Sequence, residues 1–260
     1  MKRDYTIEAL ARGLAVLTLF SASTPSLSLA EIVAQSGLNK TTAFRVVATL
    51  EAAGYLEHNP ISRRYRPGLA VLQLGFAALS GMELRQIARP QLEQLADLLG
   101  ETASLAVMDR NGHEIVYVDR VRNRAIVGVV LGVGSRLPAH AASLGKALLA
   151  DRSEAELAAW VATAPSLSFT EQTLTGAQLL ADLAATRQRG YALSDQELAA
   201  GLRGAAVAIR DASGRAVAAI SVSGPSATLT HERLEQQVVP ALLTAAQRIS
   251  RALGYGGSEL

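Results

Sequence analysis

Apolar residues recur three and four positions apart through the first hundred residues, then give way to alternation and short apolar runs. The chain therefore reads as helices first and as mixed helix and strand afterwards. Ile7, Leu10, Leu14, Leu17 and Phe20 predict a helix over 7–20. Leu29, Ile32 and Val33 form the next stripe, opened by Ser28 and by Glu31 three residues on, a capping box. Gly37 is expected to end that helix in a left-handed turn, and Asn39 to cap the following one. In this third helix Ala43, Val46, Val47 and Leu50 form the inward face, and Gly54 is the stop. Residues 55–57 and 64–66 read as two short strands around the turn Asn59-Pro60-Ile61-Ser62.

The stretch 69–80 is apolar nearly all round, which predicts burial on more than one side. Its partner is either the same helix of a second subunit or the rest of its own chain. A helix over 84–99 follows, with Ile87, Leu92, Leu95, Leu98 and Leu99 inward and Pro90 marking a restart or kink. Strands are expected at 103–108, 114–119 and 126–131, with a turn at 109–112 and a loop at 132–139. A short helix over 144–150 comes next. Ser153 and Glu156 form a second capping box, opening a helix through Trp160, and Thr175 opens another that Gly190 ends. Strands at 191–193, 204–210 and 216–223 and a final helix over 231–253, with Pro240 a candidate kink, complete the chain.

At 260 residues with 49% apolar composition, the chain has room for two cores. No apolar run reaches membrane-spanning length, and Asp4, Glu8 and Arg12 interrupt any signal-peptide core. A protein of the cytoplasm without membrane contact is expected. Cysteine is absent, which excludes disulfides, thiolate nucleophiles and cysteine zinc sites. The net charge of +2 conceals an asymmetry: residues 1–68 carry +3 and the remainder −1.

The basic excess coincides with the two-helix pattern. Asn39, Lys40, Thr41, Thr42 and Arg45 lie on the outer side of the third helix, short polar groups and cations of the kind that contact phosphates and base edges. Phe44 is in register with Thr41 and Arg45, so it either touches a thymine methyl or packs within the domain. Arg12 is a further phosphate candidate, or a solvated arginine. A basic hairpin directly after a recognition helix reads as a wing, with Arg63 and Arg64 near its tip reaching the minor groove or flanking phosphates. The competing reading is a hydrolase using His140, Ser143 and Asp195. It lacks support: no G-x-S-x-G elbow, H-E-x-x-H or P-loop occurs, and the four histidines are widely spaced. No catalytic residues, metal or cofactor are expected.

These segments together resemble the IclR family of transcriptional regulators over nearly the whole length. The resemblance rests on ALARGLAVL at 9–17, GLNKTTAFRVVATLEAAGYL at 37–56, RLPAHAASLGKALLA at 136–150, RGYALSDQELAAGLRGAAVAIRD at 189–211 and AAISVSGP at 218–225. It implies an α+β protein: a winged helix-turn-helix at 1–68, a dimerising linker helix at 69–83 and a GAF-like effector domain at 84–255. Operator double-stranded DNA, a small carboxylate effector and further copies of the chain, as a dimer or tetramer, are the implied partners. Within the family the chain is similar to regulators of protocatechuate and β-ketoadipate catabolism, although His140 and Leu144-Gly145-Lys146 depart from their pattern.

The implied effector site is His140, Ala141, Ser143, Gly145, Asp195, Glu197, Arg203, Ser221 and Ser223. Free amides at a helix start, with a glycine allowing close approach, suit a carboxylate. Arg203 offers a bidentate fork, and Ser221 and Ser223, two apart on a strand, share one face. Each also has a structural reading. His140 braces its loop, Asp195 and Glu197 cap a turn, Arg203 bridges to Glu197, and the serines are satisfied in the sheet. Lys146 is expected to be structural or at the rim.

Overall fold

The computed structural model describes residues 6–21, 23–122, 131–164 and 167–257. The chain divides into two compact units, residues 1–81 and 82–260.

The first unit runs α1 (Glu8–Leu17), β1 (Leu27–Ser28), α2 (Leu29–Ser36), α3 (Lys40–Ala52), β2 (Leu56–Asn59), β3 (Arg64–Pro67) and α4 (Leu69–Ser80). The capping box forms as expected. Glu31 N–H donates to Ser28 Oγ at 3.3 Å, and Ser28 N–H donates to Glu31 Oε2 at 2.7 Å. Gly37 takes the left-handed conformation at φ 69°, which a Cβ would strain. Asn39 Oδ1 accepts from Thr42 N–H at 2.9 Å and starts α3. Val16, Leu27, Ile32, Val47, Leu56 and Tyr65 form the core. Only Leu17 and Phe20 of the α1 stripe pack against it, while Ile7, Leu10 and Leu14 are exposed. The wing gains a strand that the pattern does not reveal. β1 pairs antiparallel with β3, giving a three-stranded sheet in the order β1-β3-β2. Two residues are too few for a periodicity to register.

The second unit runs α5 (Glu83–Leu99), β4 (Thr102–Met108), β5 (Glu114–Val121), β6 (Arg136–Pro138), α6 (Ser143–Leu149), α7 (Glu154–Thr163), α8 (Gly176–Arg189), β7 (Ala192–Asp195), β8 (Leu202–Arg210), β9 (Ala216–Pro225), α9 (His231–Arg233) and α10 (Val239–Ala252). The six strands form one antiparallel sheet in the order β6-β5-β4-β9-β8-β7. Ala103, Leu105, Ile220 and Val222 face a core shared with α5 and α10. Ala106, Ala206 and Ala219 face the opposite side, under Leu144, Ala147 and Leu148 of α6. Small residues on that face let α6 sit close to the strands.

Several expectations change. Leu98 is 74% exposed; Ala88 and Ala96 take the inward places on α5 beside Leu92, Leu95 and Leu99. Pro90 is accommodated inside a continuous α5. The expected loop at 132–139 contains β6, which Ile115 pairs through Leu137. The strand expected at 126–131 falls largely outside the described residues, and Leu131 is not in a strand. The last helix is interrupted by a π-helical turn, Leu234–Val238, just ahead of Pro240. Proline has no N–H to donate, and the wider turn absorbs the lost bond. Among the described residues no helix is long and apolar enough to cross a membrane, and no cluster of His, Asp or Glu has metal-site geometry.

Candidate nucleic-acid interface and effector pocket

The two helices α2 and α3, separated by the Gly37 turn, leave the N-terminal half of α3 open to solvent. Lys40, Thr41 and Arg45 are exposed and Thr42 is half-buried. Phe44 is 55% exposed, so packing within the unit does not account for it. These residues form one surface at the start of a helix, where unpaired amides also favour phosphate. Asn39 belongs to that surface, but its Oδ1 serves the cap, which leaves the amide nitrogen for any contact with DNA.

The remaining basic candidates separate. Arg63 sits exposed at the hairpin turn with φ 53°. Arg64 does not extend from the tip as expected. Its guanidinium turns back to Ser26 O at 2.8 Å and Glu31 Oε2 at 2.9 Å, tying β3 to the capping box. The Ser28 hydrogen bonds and the Arg64 charge hold the Glu31 carboxyl below the usual range. Arg12 pairs with Glu8 one turn earlier at 2.8 Å. Both line a shallow trough of about 320 Å³ with Ala15, Ser36 and Leu38, where the two charges satisfy each other. Of the wing and α1 arginines proposed from sequence, Arg63 is therefore the one with an uncommitted charge among the described side chains.

In the second unit a small pocket of about 60 Å³ opens between the start of α6 and the sheet. Ala141, Ser143, Arg203, Ser221 and Ser223 line it, as the sequence suggests. Ile220 and Val222 point the other way, into the α5 and α10 core, so the alternation on β9 is as expected. The walls are Leu131, Leu137, Leu144, Leu198, Leu202 and the Tyr117 ring.

Four of the nominated effector residues do other work. His140 is buried, and its Nε2 donates to Leu167 O at 2.8 Å while its ring leans on Phe169. Gly145 admits chain rather than ligand: a Cβ there would lie 2.2 Å from Ala139 O, so the glycine allows α6 to pack on the segment before it. Glu197 is the counter-ion of Lys146, at 2.7 Å, with Asp182 on the other side at 2.8 Å. Burial raises the Glu197 pKa in spite of that pairing. Asp195 accepts from Arg203 Nε at 2.7 Å and lies 3.1 Å from His231 Nε2. Burial opposes ionisation of Asp195, but the Arg203 hydrogen bond and charge outweigh it and lower its pKa. Arg203 is at the pocket edge, yet Asp195 and the Leu229 carbonyl at 2.8 Å occupy its fork. Lys146 is 1% exposed and structural rather than at a rim.

Sequence reasoning missed Tyr117, Arg120 and Ser194, which also line the pocket. Ser194 donates to Ala141 O at 2.9 Å and fixes the approach to α6. No motif marks these residues. Period-two alternation on β5 even puts Tyr117 and Arg120, three apart, on opposite faces.

The helix-turn-helix profile of the IclR family matches residues 9–60, and the profile of the bacterial transcriptional regulator IclR C-terminal domain matches residues 76–251. The chain belongs to the IclR family. It is 33% identical over 253 residues to the HTH-type transcriptional regulator XynR of Escherichia coli, covering 96% of this chain and 98% of that one. A transcriptional regulator from Rhodococcus sp. RHA1 has a structure matching with a TM-score of 0.81 at 36% identity, over 95% of this chain and 98% of the other. An IclR homolog from Microbacterium hydrocarbonoxydans, solved in complex with 4-hydroxybenzoate, matches with a TM-score of 0.77 at 30% identity, over 94% of this chain and 98% of its own. As an IclR-family member this protein is a DNA-binding transcriptional regulator and not an enzyme. The α3 surface is its candidate operator-reading face.

Proposed function

We propose that this IclR-family regulator reads operator DNA as a dimer and changes its DNA affinity when a small carboxylate enters the pocket beneath α6. The observation that carries the reading is the pocket itself: two serines on one strand face, Ser221 and Ser223, floor a space with mostly apolar walls. Such a lining fixes the polar end of a small ligand against apolar walls, and at about 60 Å³ it suits a short acid directly and an aromatic one only on widening. The relative solved with 4-hydroxybenzoate and the resemblance to regulators of protocatechuate and β-ketoadipate catabolism make aromatic acids and their breakdown products the first to test. Lys40, Thr41, Thr42, Phe44 and Arg45 read the major groove, and Arg63 reaches beside it. The apolar α4 pairs with its copy in a second subunit, which sets two recognition helices about one DNA turn apart, roughly 34 Å. A regulator of this kind works in the cytoplasm, with the chromosome.

Fluorescence anisotropy with DNA from upstream of the coding region tests the reading, titrated with and without a panel of aliphatic and aromatic acids. Affinity that falls steeply with salt, and shifts by about 5- to 150-fold with one acid, is the expected result. DNA affinity that no acid alters would overturn the effector assignment while leaving the operator-binding role intact.

A further inference from the structure

The pocket face of the sheet carries a polar row that no single strand displays. Ser104 on β4 stands opposite Arg120 on β5 and opposite Ser221 on β9. Directly opposed residues of antiparallel strands send their side chains to the same face. Arg120, Ser104 and Ser221 therefore form one line across three strands, and Ser223, Gly204 and Ser194 form the next.

A β-bulge makes this possible. The β4–β5 register shifts between Leu105 and Ala106, which pair with Asp119 and Tyr117, leaving Val118 as the extra residue. The bulge brings Tyr117 and Arg120 to the same side, with the guanidinium carbon 5.3 Å from the ring centroid. Asp119 turns the other way, to Arg89 at 3.0 Å and Arg85 at 3.3 Å on α5. The acid beside Arg120 in sequence thus accepts its backbone N–H, at 2.8 Å, but is paired with the α5 arginines rather than with its guanidinium.

Two atoms of this row are buried without a hydrogen-bond partner among the described residues: Ser104 Oγ, on a side chain 1% exposed, and Arg120 Nε. Arg120 spends one amino group on the Leu131 carbonyl, at 3.1 Å. Burial lowers its pKa, and no carboxylate among the described residues offsets that. Arg203, the other arginine of the pocket, is in the opposite condition, with Asp195 and two carbonyls around it. A cation at a pocket wall with no counter-ion, next to an orphan hydroxyl, is completed by an anion that arrives with the ligand.

We infer that Arg120 receives the carboxylate of the effector, one oxygen seated toward Ser104 and Ser221, while Arg203 only shapes the pocket edge. The inference rests on the carboxylate reading given above and adds which residue carries the charge recognition. It accounts for an arginine held at a cost to the free protein: a half-buried guanidinium with an unpartnered Nε, and with no carboxylate beside it among the described residues, is completed by an arriving anion.

Isothermal titration and thermal melting of the full chain with benzoate, 4-hydroxybenzoate and pyruvate, with benzamide as the uncharged isostere, decide it. Wild type, Arg120→Gln, Arg120→Lys and Ser221→Val are compared. At least one acid should bind wild type and benzamide should not. Arg120→Gln should lose roughly tenfold or more in affinity, and Arg120→Lys should recover part of it. The ligand-free melting temperature of Arg120→Gln should equal or exceed that of wild type, since a purely structural arginine would give the reverse. Equal acid binding by wild type and Arg120→Gln, with loss in Ser221→Val, would sink the Arg120 assignment and keep the pocket. Equal binding by all variants would move the site elsewhere and overturn both. Absence of acid binding to wild type would overturn the carboxylate reading and the Arg120 assignment with it.

Discussion

Ser28 shows how one hydroxyl can serve a whole interface. It caps α2 and positions Glu31, which in turn holds Arg64 of the wing. Ser28→Ala should destabilise the protein by about 1 kcal/mol, read by thermal melting. The Glu31 pKa, followed by NMR, should rise toward the ordinary value in that variant. Because the folded-state pKa is lowered, the stabilisation from Glu31 is present at neutral pH and lost as pH falls through that value. The deficit of Ser28→Ala should therefore shrink in acid. Lys146 is the buried counterpart. Lys146→Met leaves the buried Glu197 without its cation beside Asp182, which keeps only Arg189, and should cost about 3–5 kcal/mol at neutral pH. Burial already raises the Glu197 pKa, and losing Lys146 raises it further. A raised folded pKa makes stability fall as pH climbs, so this deficit should be smaller at acid pH than above neutrality. Denaturant melts at several pH values check the sign.

At the scale of elements, α3 and the sheet of the second unit carry different kinds of information. The exposed first turns of α3 present Lys40, Thr41 and Arg45 without packing duties. Arg45→Ala should weaken operator binding and reduce its salt slope by about one, with effector affinity unchanged, as measured by anisotropy at several salt concentrations. Loss of both would indicate a folding defect, which circular dichroism detects. Most helix boundaries were legible because caps and left-handed glycines act locally: Ser28, Gly37, Asn39, Ser153 and Gly190 all mark the ends they were expected to mark. β1 and β6 were not legible, because strands of two and three residues carry no periodicity and exist only through their partners.

The whole molecule turns on α4 and on the pocket. Leu69 and Phe76 on α4 are 69% and 61% exposed, and no residue of that helix is buried within the described chain. A helix so apolar and so open is built to be covered. Leu72→Glu combined with Phe76→Glu should convert a dimer into a monomer by light scattering. The melting temperature extrapolated to low protein concentration should barely move, since neither side chain packs inside its own subunit. A double variant that keeps the wild-type mass would remove α4 from the dimer interface.

The sequence alone determined most of the helices and their caps, the helix-turn-helix with its basic excess, the resemblance to the IclR family and the shared face of Ser221 and Ser223. All of these depend on residues close together along the chain or on a strict local period. Tertiary structure alone decided which charges are spent and which remain open. Arg64, Arg203 and Glu197 looked available in sequence and are tied to Glu31, Asp195 and Lys146. Arg120, which no reading of the sequence singled out, faces the pocket, because a bulge one residue long sends the Asp119 side chain to the other side of the sheet. Pairing across strands and inversion at a bulge are long-range facts, and no spacing along a single strand records them.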